Sequence, residues 1–140
     1  MSSSDVNLFP SIHSSREFKV KKVAYRGHVA IVHSLEDIEK VMVLIRRKFK
    51  FIDAMPYAFH LASLESDEVR AVDHLEDDGD WGAGNILLEC LKSKKREFIF
   101  LAVTRHVGGC FPPELVQMVK PTMIKDAANA ALQLLHDAES

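Results

Sequence analysis

Three carboxylates and three glycines fall within eight consecutive residues, Asp77 to Gly84, in the stretch EDDGDWGAG that begins at Glu76. Residues of these types can hold a divalent cation, cradle a phosphate, share a proton between paired carboxylates, or turn the chain. An EF-hand needs an acid at its first position and a glutamate at its last. The register that makes Gly79 the turn glycine puts His74 first and Asn85 last, which excludes it. A looser magnesium site on Asp77, Asp78 or Asp80 needs only one or two carboxylates and water. Gly82 and Gly84 precede a helix-like segment, where backbone amides can bind an anion. No lysine follows them as in a P-loop, Leu87 stands where the third glycine of a dinucleotide fingerprint belongs, and the preceding acids repel phosphate. Asp77 and Asp78 with His74 are an acid/base candidate without a nearby nucleophile. The remaining reading is structural: glycines for unusual backbone angles, and acids that pair with bases or cap the next helix. No catalytic residue, metal ligand or cofactor is assigned.

Other chemistry-bearing residues are scattered. Basic runs occur at Lys19, Lys21, Lys22 and Arg26, at Arg46, Arg47 and Lys48, and at Lys92, Lys94, Lys95 and Arg96. They are solvated surface or RNA-phosphate contacts, the last run being the chosen RNA candidate. His60 and His106 lack a second ligand at metal spacing. Cys90 shares a helical stripe with Leu87, Leu88 and Leu91 and reads as core, whereas Cys110 follows a Gly-Gly turn. Trp81, between acids in a loop, either lies over the domain or anchors a partner, and Phe111 is a second anchor candidate.

These residues need elements to position them. Phe18 to Val32 alternates and reads as two strands, or one strand bulged at Gly27. Ser34 is the N-cap of a helix reaching Lys50, with Leu35, Ile38, Val41, Met42, Ile45 and Phe49 on its apolar face. Tyr57 to Leu61 is a half-buried strand, and Ser63 to Asp80 a long connection with a short strand near Val69 to Val72. Asn85 to Lys92 is a short helix. Glu97 to Val103 is a continuous apolar run, hence a central strand. A closing helix carries Ile124, Ala127, Ala128, Ala131, Leu134 and Leu135. The sum is α+β, a mostly antiparallel sheet with helices on one face.

The 140-residue chain is 47% hydrophobic, enough for one core, and its net charge of -2 gives no bulk attraction to nucleic acid or membrane. Two cysteines without metal spacing suit a reducing compartment. The start lacks a signal-peptide pattern and no apolar run approaches the ~20 residues of a membrane span. A cytoplasmic protein is expected, with a disordered tail over residues 1–15 and one domain over 16–140.

Ala102 to Gly109 reads AVTRHVGG. An acidic DDG turn, a glycine, a short apolar helix and a strand ending TR-x-x-GG resemble the Impact family, the ancient domain shared by bacterial YigZ-like proteins and eukaryotic translation regulators. Asp77, Asp78, Gly79, Asp80 and Gly84 match the first motif, with Asp80 for Glu; Thr104, Arg105, Gly108 and Gly109 match the second. YAFHL, Tyr57 to Leu61, is similar to the family's aromatic strand, and the resemblance runs from Phe18 to Leu135. Departures lie at Ala54-Met55-Pro56, where Thr-His-Asn is usual, and at Cys110-Phe111-Pro112-Pro113, where Leu-Gly is usual. The resemblance implies a fold like the second domain of ribosomal small-subunit protein five. It also implies a non-enzymatic binding module in translation or its stress regulation, working through protein or ribosome-associated contacts. The alternatives are an RNA-binding domain and a metal-dependent hydrolase on Asp77, Asp78 and Arg105. Any RNA binding is expected to be weak, and neither DNA nor membrane binding is expected. The motif pair further predicts a hydrogen bond from Arg105 to Asp77 or Asp78 that clasps the two loops.

Overall fold

A computed structural model describes residues 10–61, 72–108 and 121–140. Six strands form one sheet: β1 (Ile12–Ser14), β2 (Phe18–Val20), β3 (Val23–Ile31), β4 (Tyr57–Leu61), β5 (Val72–Glu76) and β6 (Ile99–Val107). The order is β1-β3-β6-β4-β5, with β2 also on β3, and all pairs are antiparallel. Among the described residues three helices accompany it: α1 (Leu35–Lys48), α2 (Ala83–Ser93) and α3 (Pro121–Glu139). The expected α+β class and antiparallel sheet are found.

The helices lie on both faces, not one. Along β6, Ile99, Leu101 and Val103 pack with residues of α2 and α3. Phe100 and Ala102 pack with Ile38, Val41 and Ile45 of α1. Successive strand residues point to opposite faces, so α1 stands across the sheet from α2 and α3. β6 is buried on both of its faces, and a strand apolar on every residue needs cover on both sides, which the helices supply. α1 connects β3 to β4 across β6, and α2 connects β5 to β6 across β4. Each crossover joins parallel strands, and the two run in opposite directions. Same-hand crossovers would then share a face. Their separation makes one right-handed and the other left-handed, against the usual rule.

Local chemistry explains the boundaries. Ser34 accepts a hydrogen bond from the Asp37 amide, and Arg46, Arg47 and Lys48 close α1. Leu35, expected on the apolar face, is 58% exposed in the first turn. Phe18 to Val32 forms two strands, and they break at Lys21 (φ 56), not at Gly27. Gly27 lies inside β3, where an added Cβ would meet the Ala127 carbonyl oxygen at 2.0 Å; the missing side chain lets α3 press on the sheet. The tail expected over residues 1–15 is too long, since Ile12–Ser14 pairs with Ala30, Val29 and His28. β5 lies at Val72–Glu76, and of the strand expected at Val69 to Val72 all but Val72 falls outside the described residues. Cys90 is buried in the core with Leu87 and Leu91, and burial raises its thiol pKa.

Candidate functional site

β5 and α2 are joined by two tight turns. The Asp80 amide bonds the Asp77 carbonyl at 3.0 Å, with Asp78 (φ 48) and Gly79 (φ 87) between them. Two positive φ values are those of a type I′ turn, for which Asp-Gly is a favoured pair. The Ala83 amide then bonds the Asp80 carbonyl at 2.9 Å around Trp81 and Gly82, and Gly82 (φ 85, ψ -9) is the left-handed corner of a type II turn.

Each carboxylate has a separate structural task. Asp77 accepts from the Gly82 amide at 3.1 Å and the Gly84 amide at 2.7 Å, at the N-terminus of α2. The amide cradle that the glycines suggested is therefore filled by the chain's own anion. Gly84 must be glycine for this: an added Cβ would meet Asp77 Oδ1 and Leu75 Cδ1, both at 2.9 Å. Asp78 accepts from the Met55 amide at 2.7 Å and ties the loop to the segment before β4. Asp80 is buried and takes a forked pair from Arg105: Nη2 to Oδ1 at 2.8 Å and Nε to Oδ2 at 2.9 Å. The expected clasp exists, but its acid is Asp80, not Asp77 or Asp78. Asp80 is the last acid of the loop, and its turn buries it beside β6, whereas its two predecessors are occupied by backbone amides. Burial alone would lower the Arg105 pKa, but the hydrogen bond and charge of Asp80 outweigh it and the value is raised.

Behind Arg105, strand pairing sets Thr104 opposite Arg26. Thr104 Oγ1 lies 2.8 Å from His28 Nε2, and His28 Nδ1 lies 2.8 Å from Ser14 Oγ. A neutral imidazole satisfies both hydroxyls. Burial, then the charges of Arg26 and Lys48, pushes the His28 pKa down to about 3. Gly108 continues the strand, its amide bonding the Lys22 carbonyl at 2.9 Å. Gly109, Cys110 and Phe111 lie outside the described residues.

Trp81 is 96% exposed, so it does not lie over the domain. Lys92, Lys94 and Lys95 are exposed around the end of α2, while Arg96 is held by Glu139 through bonds of 2.9 and 2.8 Å. His60 and His106 stand at strand positions beside Asp73 and Asp53, one acid each. No group of three or more metal-ligating side chains occurs among the described residues, and no described helix is long and apolar enough to cross a membrane.

Sequence reasoning missed Asp53, His28 and Ser14. Asp53 accepts from the Val107 amide at 2.7 Å, and its own amide bonds the Arg105 carbonyl at 2.8 Å, fixing the end of β6. Nothing local marks these residues, since their partners are far away in the chain. The available signal was His28 directly before the apolar run Val29 to Val32.

No family model matches the chain. It is 30% identical over 102 residues to a Protein IMPACT homolog of Dictyostelium discoideum, covering 71% of this chain and 29% of that protein. It is 25% identical over 119 residues to a Protein IMPACT homolog of Caenorhabditis elegans, covering 84% and 44%. The chain thus spans less than half the length of these curated relatives. Among solved structures, one described as a hypothetical protein superposes with a TM-score of 0.67 at 19% identity, over 89% of this chain and 59% of that one. The two-domain translational regulator Yih1 superposes with a TM-score of 0.58 at 18% identity, over 86% and 45%. The solved structures agree in fold, and the relatives agree in name with the paired acidic-turn and Thr-Arg motifs: the chain belongs to the Impact family.

Proposed function

We propose that this chain is a non-enzymatic cytoplasmic module of translational regulation, in stress among other conditions, that docks on a protein or a ribosome-associated complex through Trp81. The observation that carries this is the pairing of a 96% exposed indole with a rigid base. The loop beneath Trp81 is fixed by bonds from Asp77, Asp78 and Asp80 to three other parts of the domain. An aromatic side chain held out in this way loses little freedom on binding, and aromatic anchors carry much of the energy of interfaces. The similarity to a translational regulator supports the setting. The hydrolase reading on Asp77, Asp78 and Arg105 loses its footing, because each group is already bonded to protein.

The test is sedimentation of tagged protein from native lysate, with and without RNase. The wild type should travel with ribosomal fractions. Trp81→Ala should reduce that share at least about fivefold with an unchanged melting temperature, since a fully exposed side chain adds little to the fold. Equal sedimentation of the two proteins would reject Trp81 as the anchor.

A further inference from the structure

Two of the three basic runs meet on the α1 face of the sheet. Arg26 pairs with Thr104 across β3 and β6, and Ala24 with His106. By strand alternation these four share the face of Ala30, Phe100 and Ala102, which α1 covers further along. Past the end of α1 the chain runs through Phe49, Lys50, Phe51 and Ile52 beside these strands. Between them lies an open cleft of about 350 Å³.

The charges in this cleft are unbalanced. Glu17 is 3.7 Å from Arg26, whose guanidinium also bonds the Ser15 carbonyl and lies over the Phe49 ring. Asp53, at the edge, is engaged by the Val107 amide and lies 3.4 Å from His106. Lys48 and Lys50 are exposed, and neither makes an ion pair among the described residues. Lys19 joins them on this face through its pairing with Ala24. Beside the lysines Phe51 is 75% exposed, its ring 5.8 Å from that of His106. Lys48 also lies 5.6 Å from the Phe49 ring; an exposed aromatic ring flanked by lysines that make no ion pair suits a planar base on a phosphate backbone. A phosphopeptide would need forked arginines, and Arg26 is already occupied.

We propose that this cleft binds a nucleotide unit of single-stranded RNA, with its base on Phe51 and its neighbouring phosphates on Lys48 and Lys50. The site differs from the Lys92–Arg96 run, which starts in the last turn of α2 and continues past its end, away from the α1 face, and it does not depend on Trp81 docking.

The test is fluorescence anisotropy with labelled oligo(U) and oligo(A) on the full chain, with adenosine and uridine monophosphates titrated separately. Phe51→Ala should weaken oligomer binding about tenfold, in line with the loss of one stacked base. Lys48→Glu/Lys50→Glu should weaken it further and make the log–log salt dependence shallower by about 1.4, two contacts at ~0.7 each. Lys94→Glu/Lys95→Glu and Trp81→Ala should bind as the wild type does. Thermal melts check that each variant is folded, and Phe51→Tyr should restore binding. The proposal is overturned if no oligomer binds at near-physiological salt, if the Lys94/Lys95 change is as damaging as the Lys48/Lys50 change, or if the free monophosphates bind as tightly as the oligomers. The last result would assign the cleft to a free nucleotide.

Discussion

Arg105 and Asp80 form a forked ion pair with both side chains almost fully enclosed. Removing one partner strands the other charge in a dry site. Asp80→Ala or Arg105→Ala alone should therefore cost about 3–5 kcal/mol, enough to leave a domain of ordinary stability barely folded. Replacing both together, as Asp80→Leu/Arg105→Met, should recover most of the loss, because an apolar pair needs no rescue of charge. Urea titrations of the three proteins decide this, and a double variant as unstable as the singles would show a role beyond charge pairing. His28 gives a second prediction at this scale. Its folded pKa, about 3, is depressed from 6.5, so the unfolded chain takes up the proton first as pH falls. The contribution of His28 to stability is complete above about pH 6.5 and declines by about 1.4 kcal/mol per pH unit until pH nears 3. Stability at pH 5 should be about 2 kcal/mol below that at pH 7.5. His28→Gln should lower stability at neutral pH and flatten this slope.

At the scale of elements, the acidic loop acts as a helix cap supplied from outside the helix. Gly82, the N-cap of α2, has no side chain to offer, and the Asp77 carboxylate takes its place. Asp77→Ala should cost about 1–2 kcal/mol, with Asp77→Asn retaining part of the cap, as chemical denaturation would measure. An unchanged midpoint in both would mean that water caps the helix equally well. The sequence announced most of these elements because their signals are local. Ser34 with its first-turn acids, the apolar run of β6 and the spacing in the closing helix all act within a few residues of themselves. The motif pair that resembles the Impact family announced the joining of the two loops too. It did not announce which acid meets Arg105. That choice depends on how two turns rotate Asp77, Asp78 and Asp80 in different directions, and three adjacent carboxylates look alike in sequence. The placement of α1 across the sheet from α2 was hidden for the same reason: helical periodicity reports that a face is buried, not which face of the sheet buries it. Gly27 misled because a glycine in a strand suggests a bulge, whereas here it admits the backbone of α3.

For the whole molecule, the loop carboxylates are bound to the protein's own amides and guanidinium. A cation would have to break those bonds to take their place. Millimolar magnesium, calcium or chelator should shift the melting temperature by less than about 1 °C, since only a ligand that prefers the folded state raises it. A rise of several degrees with magnesium would revive a metal-dependent reading.

The strand order carries a consequence for how the domain comes into being. β6 lies between β3 and β4, yet it follows both in the chain. During synthesis the first half of the sheet emerges with an empty slot at its centre. β3 and β4 have no common neighbour until residues 99–107 leave the exit tunnel, and α3 comes later still. Until then the apolar inner faces of the early strands have nothing to close upon, and their edges are open to other chains. The nascent domain must wait, and its waiting time is set by the ribosome's pace.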